Sequence, residues 1–189
     1  MNKTLFLLRH CSTRDSELGI NGSQTDTPLS EKGARDAKSL ISTLSKYNYD
    51  LIIVSPLKRT RQSIQPYLDT LKIQPSIIIE PLSIERSLGD LTNTIQGDGK
   101  IPESMAASGK TKTEWVPPGG ESTVDVFKRA QLVLEKIKSL SEKNILICGH
   151  QNFLRCLELA LLEKEIDDEN FYSDSPSRLE PGEIRKYII

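Results

Sequence analysis

The chain has 189 residues, 37% of them hydrophobic and 27% charged, with a formal net charge of -1. That suits one soluble domain with a sizeable core and excludes a disordered chain. No global field points to nucleic acid or an anionic membrane, and no apolar run reaches the roughly 20 residues of a membrane span. Lys3 to Leu8 is a short apolar run that ends abruptly at Arg9-His10, which reads as a buried strand delivering a guanidinium and an imidazole together. Residues 14 to 28 are polar and loop-like, and Ser30 then caps an amphipathic helix over residues 30 to 46. Asp50 to Val54 is a second strand, followed by a helix opened by Lys58-Arg59 in which Pro66 predicts a kink or a division. Ser76 to Ile79 is a third strand. Residues 80 to 120 lose periodicity, and six glycines together with the prolines at 102, 117 and 118 break up any long element. Ser122 caps a helix with Val126, Ala130, Val133, Ile137 and Leu140 on its buried face. Asn144 to Cys148 is a fourth strand, ending in Gly149-His150, and a helix marked by Phe153, Leu154, Leu157, Ala160 and Leu161 follows. Residues 165 to 183 read as a polar loop and Ile184 to Ile189 as a last strand. The alternation predicts an α/β fold: a single three-layer domain, 1–189, whose central, mostly parallel sheet is flanked by helices.

The three cysteines, Cys11, Cys148 and Cys156, are odd in number and form no C-x-x-C pair. They read as reduced thiols in a cytoplasmic protein, and the N-terminal run is too short for a secretory signal. With His10 and His150 as the two histidines of the chain, neither a metal site nor a cofactor is expected.

In open α/β sheets ligands gather beyond the carboxyl ends of the strands. Three strand ends here present Arg9-His10, Ser55 leading to Arg59, and His150. Two arginines and two histidines together suit a phosphate monoester, because guanidinium groups bind phosphate oxygens bidentately and stay charged. A neutral imidazole can attack phosphorus to give a phosphohistidine, and a second can stabilise developing charge. A carboxylic acid would then protonate the leaving alkoxide.

These residues resemble the histidine phosphatase, or phosphoglycerate mutase-like, superfamily over nearly the whole chain. Leu8-Arg9-His10-Cys11-Ser12-Thr13 resembles its LRHGET signature, and Asp26-Thr27-Pro28-Leu29-Ser30-Glu31-Lys32-Gly33 its D-x-P-L-[ST]-x-x-G segment. Ser55-Pro56-Leu57-Lys58-Arg59-Thr60-Arg61-Gln62-Ser63 is similar to S-P-L-x-R-A-x-Q-T, and Pro118-Gly119-Gly120-Glu121-Ser122 to P-G-G-E-S. Ile147-Cys148-Gly149-His150 is similar to the late strand ending in the second histidine. The resemblance implies a phosphoglycerate mutase-like fold, with His10 as nucleophile and Arg9, Arg59 and His150 as the phosphate pocket. It places the catalytic proton donor at Glu85, within the looser match E-x-x-x-G, with Glu80 and Asp90 as alternatives.

Cys11 stands where the family has glycine, Ser16 where many members carry asparagine, and Gly22-Ser23 where many carry Gln-Gly. A side chain at position 11 is expected to reshape the loop beside the nucleophile. Cys11 itself does not suit a cysteine phosphatase, because the arginine of a C-x5-R loop is replaced by Glu17. Arg14 is a candidate to reach the phosphate, though a loop arginine is more simply solvated. Residues 86 to 117, with Trp115 and the lysines at 100, 110 and 112, are expected to form a lid or specificity segment.

The function expected is hydrolysis of a small phosphorylated metabolite through a phosphohistidine. The alternative is a mutase-type isomerase, although the longer bisphosphoglycerate-dependent mutases carry segments absent here. A phosphate-binding regulatory module and a protein phosphohistidine phosphatase rank lower. No nucleic-acid or membrane partner is expected, and the oligomeric state stays open, a homodimer included.

Overall fold

The computed structural model describes residues 3–172 and 178–189. Five strands form one sheet: β1 (Thr4–Arg9), β2 (Leu51–Val54), β3 (Ser76–Ile79), β4 (Asn144–Gly149) and β5 (Ile184–Ile188), in the order β3-β2-β4-β1-β5. β1 to β4 run parallel and β5 pairs antiparallel to β1 at the edge. The three central strands β1, β2 and β4 are almost continuously apolar because helices cover both of their faces. On one face Leu5, Leu7, Ile53, Ile145 and Ile147 pack against α6 (Thr123–Ser139) and α7 (Gln151–Leu161). On the other, Phe6, Leu8, Ile52 and Leu146 pack against α2 (Glu31–Ser39), α3 (Ile41–Leu44) and α4 (Lys58–Leu68). The molecule is therefore the expected single α/β domain of three layers. Among the described helices none is long and apolar enough to cross a membrane.

Several elements depart from the sequence reading. The helix expected over residues 30 to 46 is divided at Leu40 into α2 and α3. Conversely, α4 passes through Pro66 undivided, because the proline lies in its last turn, where little helix remains to be broken. A single turn, α1 (Arg14–Glu17), begins the segment read as a loop, held by a reciprocal capping box between Thr13 and Ser16. The irregular stretch after Glu80 contains α5 (Lys100–Ser108), set between Gly99 and Gly109, which both have left-handed backbone. It buries no residue, so it carries no apolar periodicity to read. Pro102 is its third residue, at a helix start where amide hydrogens lack intrahelical acceptors anyway. α8 (Asp168–Tyr172) falls within the polar stretch read as loop, and part of that stretch, 173–177, lies outside the described residues. The third strand has the expected bounds, and as an edge strand β3 leaves Ile77 and Ile79 about half exposed.

Candidate active site

The site is built on backbone bonds that carry three strand ends forward together. The His10 amide donates to the Gly149 carbonyl at 3.0 Å, and the Ser55 amide to the Cys148 carbonyl at 3.2 Å. Arg9, His10, Ser55 and His150 thus emerge side by side beyond β1, β2 and β4. A cavity of about 360 Å³ opens there, with Arg9, His10, Arg59 and Glu85 in its wall.

His10 is buried, and its Nδ1 lies 2.7 Å from the Cys11 carbonyl oxygen. A carbonyl can only accept, so Nδ1 carries the proton and Nε2 keeps its lone pair. Burial, and then the guanidinium of Arg59, push the His10 pKa down to about 3, so the imidazole is neutral. Arg9 donates from Nη1 to the Leu179 carbonyl at 2.9 Å, and its buried Nε has no hydrogen-bond partner among the described residues. The 178–183 segment fixes the same residue through its backbone: Arg9 N donates to Glu183 O and Gly182 N to Arg9 O.

Arg59 is held on three sides. Its Nε donates to His150 Nδ1 at 3.2 Å, Nη1 to the Thr25 carbonyl at 2.6 Å and Nη2 to the Ser23 carbonyl at 2.8 Å. The D-x-P-L-S segment supplies a further support, since Asp26 Oδ1 accepts the Lys58 amide at the start of α4, one residue before Arg59. That bond holds the Asp26 carboxyl below the usual carboxylate range. Gly33 of the same segment lies where a Cβ would sit 2.0 Å from the Ser12 carbonyl oxygen, so no side chain fits.

His150 is placed differently from expectation. It is fully buried behind Arg59 and does not line the cavity. Nδ1 accepts from Arg59, and Nε2 sits 2.6 Å from Ser55 Oγ. Both ring nitrogens are therefore engaged by protein atoms, and the ring stands 5.1 Å from that of His10, centroid to centroid. Burial first, then His10 and Arg59, push its pKa well below the ordinary value.

Glu85 is the member of the three candidate acids that faces the cavity. Its Oε1 accepts the Arg86 amide at 2.7 Å and Oε2 the Asn152 amide at 3.3 Å. Glu80 is buried and turned to Lys136 at 2.6 Å, and Asp90 lies outside the cavity wall beside Gly119. The Glu85 loop is braced by residues whose roles the sequence did not disclose. Glu121 accepts the Ser87 amide at 2.9 Å and pairs with Arg129, whose Nη1 donates to the carbonyls of Leu82 and Ile84 at 2.6 Å. Gly89 and Gly120 let the two backbones touch: a Cβ on Gly89 would meet the Pro118 carbonyl at 2.0 Å. Ser23 joins this loop to Arg59, donating to Arg86 O and accepting from Leu88 N. It does so with left-handed backbone, φ 47°, at the position where the resemblance expects glycine.

Other expectations change. Cys11 has no left-handed backbone, and its side chain is buried in the core against α2 and α4 while Ser63 Oγ accepts its amide at 2.8 Å. The loop beside the nucleophile needs no reshaping, and burial pushes the thiol up to about 11, unlike an activated cysteine. Trp115 is no substrate surface: it is buried under the guanidinium of Arg86 at 5.2 Å. Of residues 86 to 117, Arg86, Leu88 and Gln96 reach the cavity; much of the remaining wall comes from 12–23, 151–152 and 180–181. Arg14 is exposed and outside that wall. Among the described residues no group of three His, Cys, Asp or Glu side chains is placed to hold a metal ion.

A neutral imidazole with an unengaged Nε2, flanked by two guanidiniums and a carboxyl at the carboxyl ends of parallel strands, defines a phosphoryl-handling α/β protein. The chain belongs to the histidine phosphatase superfamily (branch 1), whose family model matches residues 5–175. It is 28% identical over 177 residues to phosphoserine phosphatase 1 of Hydrogenobacter thermophilus, covering 89% of this chain and 80% of that protein. It is also 30% identical over 170 residues to the 2,3-bisphosphoglycerate-dependent phosphoglycerate mutase of Brucella canis, covering 85% of this chain and 82% of the mutase. Among solved structures, the alpha-ribazole phosphatase of Shigella flexneri superposes with a TM-score of 0.83 over 97% of this chain and 89% of that one, at 23% identity.

Proposed function

We propose that the protein hydrolyses the phosphomonoester of a small phosphorylated metabolite through a phosphohistidine on His10, in the cytoplasm. The observation that carries this reading is the Nδ1 contact of His10 with the Cys11 carbonyl, which directs the free lone pair to Nε2. Arg9 and Arg59 bind the phosphoryl oxygens, and Nε2 attacks phosphorus as the ester P–O bond breaks. Glu85, as the carboxylic acid, gives its proton to the departing alkoxide. Its carboxylate then takes a proton from the water that attacks the phosphohistidine, releasing phosphate and restoring His10. His150 acts here as the neutral acceptor that orients Arg59. Three buried thiols with no disulfide suit a reducing compartment.

Release of inorganic phosphate from a panel of small phosphoesters tests the proposal. Turnover by the wild type and its loss in His10→Ala support it; equal activity of the two proteins rejects it. A mutase reading is favoured by the 30% identity to the Brucella enzyme. Conversion of monophosphoglycerate in the presence of bisphosphoglycerate, without phosphate release, would establish that reading instead.

A further inference from the structure

The cavity that holds Arg9 and Arg59 also holds Asp15, Glu17 and Glu180 in addition to Glu85. Arg86 is the remaining cation of the wall, and its Nε and Nη2 are turned away onto the carbonyls of Glu121 and Trp115, each at 3.0 Å. No lysine lines the cavity. Among the described residues, Asp15, Glu17 and Glu180 form no ion pair. Asp15 spends one oxygen on Thr27 Oγ1 and Glu17 one on Ser30 Oγ, both at 2.5 Å. Asp15 lies within electrostatic range of Arg59, and Glu180 within range of Arg9.

A bound phosphoryl dianion neutralises the two arginines and leaves these carboxylates facing the rest of the substrate with no cation of the cavity wall to balance them. Glu17 alone is also within range of Lys32, outside that wall. A leaving group with its own carboxylate or second phosphate would add like charge to that wall. One with an ammonium group would complete it. Given the hydrolytic reading above, on which this rests, we propose that the preferred substrates are phosphomonoesters whose alcohol portion bears an ammonium group. Asp15, Glu17 and Glu180 are then the residues that set specificity. The same wall disfavours bisphosphorylated acids, the primers of a mutase.

The test compares kcat/KM for 2-aminoethyl phosphate, 2-hydroxyethyl phosphate and carboxymethyl phosphate, three esters of similar size whose far ends are cationic, neutral and anionic. At low ionic strength the amino ester should exceed the carboxy ester by about tenfold or more, since two units of charge are exchanged near the wall. The neutral ester should fall between them, and added salt should compress the ratio. The triple variant Asp15→Asn/Glu17→Gln/Glu180→Gln, whose amides keep an oxygen for Thr27 and Ser30, should bring the ratio near one. Glu180→Gln alone changes an exposed side chain and should lower it in part. A flat or reversed ratio in the wild type, or one unmoved in both variants, overturns the charge preference. Hydrolysis of p-nitrophenyl phosphate that is lost in His10→Ala would leave the hydrolytic reading standing in that case. No phosphate release from any of these esters would remove both.

Discussion

Arg59 Nε donates to His150 Nδ1 at 3.2 Å, so the second histidine of the chain fixes a guanidinium rather than facing the cavity. A ring nitrogen that accepts from arginine must be unprotonated, and the Ser55 hydroxyl on the opposite nitrogen completes the arrangement. Replacing His150 by Gln should therefore lower kcat/KM by about a hundredfold, the scale of losing one oriented transition-state donor. Arg59→Lys should cost a similar factor. The double variant should be little worse than either single one, because the two residues act as a unit. Additive losses would show that His150 meets the substrate independently.

With two histidines in the chain, imidazole nitrogen shifts are directly assignable. His10 should remain neutral down to about pH 3, and burial should likewise keep His150 neutral well below the ordinary histidine range. His10→Asn should assign the pair. The consequence for stability has a definite sign. Unfolded histidine binds its proton near pH 6.5, whereas folded His10 does so near 3. Between those values the unfolded chain holds the extra proton, so stability falls as pH is lowered through that window and is restored above it. Titration of either ring near pH 6.5 in the folded protein would contradict this arrangement.

Glu121 and Arg129 never touch the cavity, yet they hold the loop that carries Glu85. Glu121→Ala should orphan the Ser87 amide and cost about 1–3 kcal/mol of stability. Its catalytic effect should fall on kcat for esters with poor leaving groups, where protonation of the alkoxide matters. It should be small for p-nitrophenyl phosphate, whose leaving group needs little protonation. An equal loss on both substrates would mean that the brace serves phosphate binding instead.

At Gly33 the clash is between a Cβ and a carbonyl oxygen, 2.0 Å apart, with no flexible side chain to give way. Gly33→Ala should lower stability by about 1–3 kcal/mol, as overpacking does. It should also weaken phosphate binding, because Ser12 follows the His10 loop and Ser30 N donates to Ser12 O at 3.0 Å. Unchanged melting and KM would show that the loop yields freely.

The parallel strands β1 to β4 are legible because each is a short β-branched or leucine-rich run ending in polar residues, and periodicity 3.6 marks the helices that bury a face. Where burial fails, so does legibility. α5 has no buried face, and the α2–α3 division at Leu40 leaves no trace in composition. His10, Arg9 and Arg59 could be singled out because they stand at strand ends within ordered motifs. The second layer could not, since Ser23, Glu121, Arg129 and the 178–183 segment act through carbonyls and amides that no side-chain pattern records. The Cys11 substitution looked disruptive in one dimension. In three it is a core side chain beneath an ordinary backbone.

The phosphohistidine is tested most directly by acid-free quenching of a single turnover of an aryl phosphate, followed by peptide mass spectrometry. One phosphoryl group should appear on the peptide carrying His10, stable in base and lost in acid, and accumulate further when Glu85 is replaced by Gln. Turnover with no adduct at His10, or with the phosphoryl group on another residue, would contradict the account.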